Sequence, residues 1–402
     1  MAAGKKRDIA VLYGGRSVEH EISVITALQL MKALDPVKYN VIPVYIAPSG
    51  RWYTGNSLFE KNCYRNWASC QHTLTAVSLQ PWPGIGGLKV EGGSLLKRFS
   101  TLLTGRFDTI PVDVFLLAFH GEYGEDGCIQ GLLEMAEFPY TSCDVTSSAI
   151  AMNKYLCKSI LRDHGIKVLP SKVARKFDAI HNLKSVTDSI LQTPGLERFP
   201  LFIKPNHLGS SIGIAKAEDI ESLHAALAKV FLYDTEAIVE PCLESMFEIN
   251  VSVISSDPTR ASVVEIPVAT SGALSYEDKY MRGGGKKKGA RSQGMASLVR
   301  EIDPAALDST IKEQVTSSAL KAFEVLGCCG VVRFDFMHDN TDGSIYFNEL
   351  NPQPGSLSFY LWVKSNPRFL YTEELDVLIE SALKRRSQLA SRERELGFMA
   401  LK

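Results

Sequence analysis

The stretch 331–355, VVRFDFMHDNTDGSIYFNELNPQPG, constrains this chain more than any other. Two β-branched and aromatic runs flank a turn-rich HDNTDGS segment, the signature of a β-hairpin. Folding it about Thr341–Gly343 sets Asp335 opposite Glu349 and Arg333 opposite Asn351. Side chains alternate along a strand, so these four share one face, while Val332, Phe334, Phe336 and Leu350 share the other. Two carboxylates and a carboxamide on one face, with an arginine beside them, offer hard oxygen ligands suited to Mg²⁺. The same letters also suit a surface hairpin carrying an ion pair. A one-residue slip of register would scatter the set. The rest of the chain has to decide.

Composition narrows the field without naming a function. With 402 residues at 45% hydrophobic content, the chain can bury large cores and divides into about two to four domains. A net charge of −1 gives no long-range attraction to nucleic acid or to an anionic membrane surface. The eight cysteines show no CxxC pair and no Cys/His metal spacing, so reduced thiols in a cytoplasmic protein are expected. The N-terminal MAAGKKRDIAVLYGG has too short an apolar run for a secretory leader, and no apolar stretch approaches a membrane span.

Read in order, the chain begins with a buried-strand run at Asp8–Tyr13, then Gly14-Gly15 and a helical pattern from about Val18 to Leu34. A strand–glycine–helix turn of this kind opens nucleotide-binding α/β units, although the full GxGxxG is absent. Glu19 falls in the first helical turn, where a carboxylate also suits the helix dipole. Strands follow at Tyr39–Ile46 and Asp113–Phe119. The region from about Gly55 to Phe107 reads as insertions on the first domain. His120, just past the third of these strands, stands where an open α/β sheet meets its ligand, and a structural histidine fits there equally well.

A helical pattern runs from Ser147 through Arg162. Next come a strand at Phe199–Lys204, the loop PNHLGSSIG and a second strand at about Ile212–Lys216. Loop amides around Ser210 and Ser211, with Lys204 adjacent, suit phosphate oxygens; an ordinary glycine hairpin has the same letters. Ala237–Glu240 is a short strand, and Glu248–Ile254 and Ala261–Val268 alternate as antiparallel strands. The segment YEDKYMRGGGKKKGARSQG, with Lys279, Tyr280 and Lys286–Lys288, has the composition of a solvated basic flap or of a lid over polyphosphate. A helix is expected over Asp303–Gly327, capped by Asp303 with Pro304 at its first position, and a last helix from about Thr372 to Glu395.

Together these segments resemble the ATP-grasp superfamily, and within it the D-alanine–D-alanine ligases. The likeness rests on GGRSVEHEIS at 14–23, HGEYGEDGCIQGLLE at 120–134, MNK at 152–154 and FIKPNHLGSSIG at 202–213. It continues through Glu240, EINV at 248–251, YEDKY at 276–280, RFD at 333–335 and NELNPQPG at 348–355. The resemblance implies a mixed α/β and α+β architecture in three parts. These are an N-terminal open α/β domain over 1–150 with the 55–107 insertion, a central domain over 151–240 and a C-terminal catalytic domain over 241–402. It also implies a reaction: ATP converts one D-alanine carboxylate to an acyl phosphate, which the amine of a second D-alanine attacks, for peptidoglycan precursor synthesis.

The matching positions take roles by the same resemblance. Lys154, Lys204, Ser210, Ser211 and Lys279 would hold the phosphates of ATP. Glu240 to Leu243 would frame adenine and Glu248 the ribose. Asp335, Glu349 and Asn351 would hold two Mg²⁺ or Mn²⁺. Arg333 and the Gly355 N–H would stabilise the tetrahedral oxyanion, and His120 would lie on the substrate side. Glu19, Ser210 and Tyr280 would form a hydrogen-bonded trio, with Glu19 anchoring the first substrate's ammonium. Small amino acids are the expected partners, and the family suggests a homodimer. One departure bears on the second substrate: Tyr360-Leu361 stands where the family usually has a Ser-Leu pair, with Ser356 and Ser358 nearby. That keeps open a ligase joining D-alanine to D-lactate, D-serine or another amino acid.

Overall fold

A seven-stranded sheet forms the first third of the molecule, which the computed structural model describes over residues 5–92, 108–209, 212–268 and 300–393. Next to one edge of it lies β1 (Arg7–Gly14), parallel to both β2 (Tyr39–Ile46) and the edge strand β7 (Val114–Leu117). Ile9, Val11 and Tyr13 enter one core, and Ala10 and Leu12 the other. Burial on both faces is why this strand reads as an unbroken apolar run. The insertion region extends the same sheet: β3 (Trp52–Thr54), β4 (Thr75–Ser78), β5 (Gly87–Val90) and β6 (Thr109–Pro111) add on antiparallel beyond β2.

The cysteine expectation fails at one pair. Cys63 and Cys70 lie in two short helices, Lys61–Arg65 and Trp67–Cys70, that meet at Asn66. The turn between them brings the two Cα atoms within 5.2 Å, and the sulfurs form a disulfide. The other six cysteines are free.

The middle of the chain departs from expectation in its detail. The helical pattern over 147–162 is two helices, Val145–Met152 and Lys154–Asp163. Asn153 separates them: its backbone is extended, and its side chain caps the second helix by accepting from the Leu156 N–H. A four-stranded sheet follows, ordered β10-β9-β11-β8, from β8 (Lys172–Arg175), β9 (Leu201–Pro205), β10 (Ala215–Ala217) and β11 (Glu236–Pro241). β10 starts three residues later than the sequence suggests.

The last sheet has five strands: β12 (Met246–Ile254), β13 (Arg260–Pro267), β14 (Arg300–Ile302), β15 (Val331–Asp339) and β16 (Ile345–Asn351), in the order β14-β13-β12-β15-β16. β15 and β16 form the hairpin read from the sequence, with Asp335 opposite Glu349 and Arg333 opposite Asn351. A register shift just past Asp335 pairs Phe336 with Phe347 and leaves Asn348 as the extra residue. On the apolar face Val332, Phe334, Phe336 and Leu350 join a core with Val315, Ala319, Ala322 and Phe323 of the Ser309–Val325 helix. That helix is capped by Asp308, whose carboxylate accepts from Thr310 N–H, and not by Asp303. Asp303 instead pairs with Lys312 at 2.7 Å. Asp308-Ser309-Thr310 is simply the stronger capping signal. The final helix runs Tyr371–Ala390.

Candidate functional site

Two cavities meet over the polar face of the hairpin. The larger is a cleft of about 440 Å³ between the four- and five-stranded sheets. Leu169, Phe202, Ile214, Met246 and Met337 give it apolar walls; Lys154, Lys204, Glu240, Leu243, Glu248 and Glu349 also line it. The smaller, about 50 Å³, is lined by Glu19, His120, Glu125, Arg333, Asn351 and Gly355, among others. Lys154, Gly209 and Glu349 border both. Of the residues singled out from the sequence, Ser210, Ser211, Lys279, Tyr280 and the Lys286–Lys288 segment lie outside the described residues.

In the larger cleft each lysine already has oxygen partners. Lys204, on β9, stands 2.9 Å from a Glu240 carboxylate oxygen and donates to Asn348 Oδ1 at 2.9 Å. The bulge in β16 is what presents Asn348 to it. Lys158 lies one helical turn after Lys154 and donates to the other Glu240 oxygen. Neither Lys158 nor Asn348 stood out in the sequence, although a lysine four residues after Lys154 on a helix shares its face. Burial pulls the Lys158 ammonium down to about 8 against the attraction of Glu240. Burial works the same way on Lys204, but Glu240 and Glu349 outweigh it and hold that ammonium above its ordinary value. Burial pushes the Glu240 carboxyl up, and the two lysines more than reverse this. Lys154 donates to the Leu208 carbonyl at 2.5 Å and lies 3.7 Å from Glu349. The loop carrying Leu208 and Gly209 is thereby tied to the start of the Lys154–Asp163 helix.

The smaller cavity is held differently. Glu19 precedes the His20–Ala33 helix, and its side chain makes no capping hydrogen bond, so the capping role is not what the carboxylate serves. It turns inward and is buried. Gly121 accommodates it: with φ +77, a Cβ there would lie 2.8 Å from a Glu19 oxygen and 2.2 Å from Ser17 Oγ. Glu125 accepts from the Gly121 and Gln353 backbone N–H groups at 2.6 and 3.1 Å. Burial first, and then the neighbouring Glu19, push its carboxyl well up. Burial and the nearby Arg333 charge push His120 down to about 4. Its neutral ring accepts from the Thr26 hydroxyl at 2.9 Å, and the Thr26 oxygen in turn accepts from Ser356 N–H. Glu125 and Gln353 fall within the HGEYGEDG and NELNPQPG segments, but nothing in the sequence marks them as site residues. Only the packing of two distant loops brings them together.

Arg333 forks onto both oxygens of Asp335 at 2.6 and 2.7 Å, and Asn351 Nδ2 donates to Asp335 at 3.0 Å. The proposed metal ligands Asp335, Glu349 and Asn351 are therefore neighbours on one face, and their donors are all oxygens, which fits a hard cation. Among the described residues no group of three or more His, Cys, Asp or Glu side chains could hold a metal ion. A cation here would take its remaining oxygens from a ligand, as Mg²⁺ does from phosphates.

Tyr360 lines neither cavity. It is buried, its hydroxyl donating to Glu265 at 3.2 Å and its ring lying 4.0 Å beneath the Arg300 guanidinium. Arg300 and Glu265 pair at 2.7 Å. Nor do Ser356 and Ser358 line either of these two cavities: the Ser356 hydroxyl donates to Gln29, and Ser358 is fully buried.

Comparisons with known proteins agree over nearly the whole chain. Family models described as D-ala D-ala ligase N-terminus and D-ala D-ala ligase C-terminus match residues 8–143 and 160–380. The D-alanine–D-alanine ligase of Thermosipho africanus is 33% identical over 375 residues, 93% of either chain. That of Geobacillus kaustophilus is 33% identical over 390 residues, covering 95% of this chain and 96% of that protein. Among solved structures, the D-alanine-D-alanine ligase from Coxiella burnetii superposes with TM-score 0.75 at 26% identity, covering 96% of this chain and 97% of that one. VanG D-Ala:D-Ser ligase from Enterococcus faecalis superposes with TM-score 0.74 at 27% identity, covering 94% and 100%. Among the described residues no helix is long and apolar enough to cross a membrane.

Proposed function

This chain belongs to the D-alanine–D-alanine ligase family, and from that premise we infer how its residues join two D-alanines at the expense of ATP. A free carboxylate is a poor electrophile, so one D-alanine is first converted to an acyl phosphate. The amine of the second attacks the acyl carbon, and phosphate leaves to yield D-alanyl-D-alanine for peptidoglycan precursors. The observation that carries the reading is the junction of the two cavities at Lys154, Gly209 and Glu349. A nucleotide in the wide cleft would present its terminal phosphate there to a carboxylate in the small one.

In this reading the apolar walls of the cleft and the Glu240–Leu243 strip take the adenine, and Glu248 takes the ribose hydroxyls. Lys154 and Lys204 meet the phosphates. Asp335, Glu349 and Asn351 are the residues that would hold two Mg²⁺ or Mn²⁺, which would neutralise the phosphate oxygens. Glu19 receives the first substrate's ammonium while the neutral His120 adds no repelling charge. Arg333 and the Gly355 N–H face the oxyanion of the tetrahedral intermediate. The roles of Ser210, Ser211, Lys279 and Tyr280 rest on the family likeness alone. So do the domain limits at 150 and 240, a cytoplasmic location and a homodimer.

The test is ADP release with D-alanine as the only amino acid, with the dipeptide identified as product. Release that begins only when D-serine, D-lactate or another amino acid is added would replace D-alanine as second substrate. ATP binding with no release under any of these conditions would remove the ligase reading altogether.

A further inference from the structure

Gly355 is followed by three non-glycine residues in the left-handed region: Ser356 at φ +53, Leu357 at +53 and Ser358 at +57. Each such conformation is unfavourable for a residue with a Cβ and persists only where its surroundings over-determine it. Much of that restraint comes from the His20–Ala33 helix and the loop that follows β7. Downstream of Gly355, Ser356 donates its N–H to Thr26 Oγ1 at 3.4 Å and its hydroxyl to Gln29. Upstream, Gln353 is almost wholly buried and is hydrogen-bonded to the loop that follows β7 through both its side chain and its backbone. Its Nε2 donates to the Gly124 carbonyl at 2.7 Å, and its Oε1 accepts from the Phe119 N–H at 3.2 Å. Its own N–H donates to Glu125 at 3.1 Å.

We propose that the Gln353 carboxamide is a positioning residue for the ligation, fixing the Gly355 N–H against the substrate by tying it to the Phe119–Glu125 loop. The inference rests on the reading of Gly355 as an oxyanion donor. A carboxamide suits this place because a carbonyl and an N–H must be met at once by a group that is donor at one end and acceptor at the other. No apolar side chain meets either. A carboxylate meets only the N–H.

Two variants test it. Gln353→Met removes both side-chain bonds at similar volume. It should lower kcat about tenfold to a hundredfold, the loss expected from an ångström-scale misplacement, and leave KM for ATP unchanged. Gln353→Glu keeps the shape and the acceptor for the Phe119 N–H but loses the donor to the Gly124 carbonyl, so it too should lower kcat with KM for ATP unchanged. Circular dichroism and ATP binding establish that each variant is folded, and the glutamate variant carries the test if the methionine variant fails to fold. Wild-type kcat in either folded variant overturns the proposal, as does a loss confined to KM for ATP. Wild-type protein that never turns over overturns the ligase reading and this inference with it.

Discussion

The two cavities solve the problem of buried charge in opposite ways. In the wide cleft, charge is kept and compensated in advance: Glu240 bridges Lys158 and Lys204, and Glu349 stands beside Lys154. In the small cavity, charge is suppressed, with Glu125 pushed up by burial and Glu19, and His120 pushed down to about 4. The contrast suits the two ligands. A polyphosphate brings several negative charges and can take over lysines that are already charged and oriented. In the proposed reading a zwitterionic amino acid brings one charge of each sign, and a site with few net charges of its own would let Glu19 and Arg333 address them singly.

The most severe way to break this contrast is at the shared border. Glu349→Gln should lower the rate of ADP release by on the order of 10³-fold or more, because a preorganised charge is lost where phosphoryl transfer concentrates it. Its circular dichroism and melting should stay close to wild type. Near wild-type turnover in that variant would mean that Glu349 is not part of the machinery.

A change inside the wide cleft should show first in stability. Glu240→Gln removes the carboxylate that bridges the buried Lys158 and Lys204, a loss of about 3–5 kcal/mol in denaturant unfolding, along with weaker ATP binding. If the variant unfolds at the wild-type midpoint, the cleft's charges are not compensated as described.

The small cavity gives the mildest and most pH-specific signal. His120 has a folded value below its unfolded one, so its contribution to stability is complete above about pH 6.5 and is lost as pH falls toward 4. The unfolded chain takes up the proton first. Over that window wild type should lose on the order of 3 kcal/mol relative to His120→Asn, read by calorimetry at pH steps. Parallel curves for the two proteins would show that His120 titrates normally.

How much of this could be read beforehand depended on the range of the interactions. The hairpin was legible in its two site pairings, Asp335 with Glu349 and Arg333 with Asn351, because a short turn links them and alternation fixes their face. The bulge at Asn348 that shifts the pairings nearer the turn was not. Motif residues such as Lys154, Lys204 and Arg333 could be chosen because their chemistry is local. The Asn153 break was missed because a single capping side chain outweighed a helical pattern on both sides. Asp308 took the cap from Asp303 for a similarly local reason.

The order of elements, the apolar strands and the acid-bearing hairpin were thus determined by the chain's own letters, since periodicity and turn chemistry act over a few residues. The tertiary structure alone decided what those letters meet. It alone pairs Lys158 with Glu240, sets Asn348 against Lys204, closes Cys63 onto Cys70 and carries Gln353 to Gly124. It also turns Tyr360 away into a buried contact with Glu265 and Arg300. Most of these contacts join residues far apart in the chain, and their energies depend on burial, which no local pattern of residues encodes.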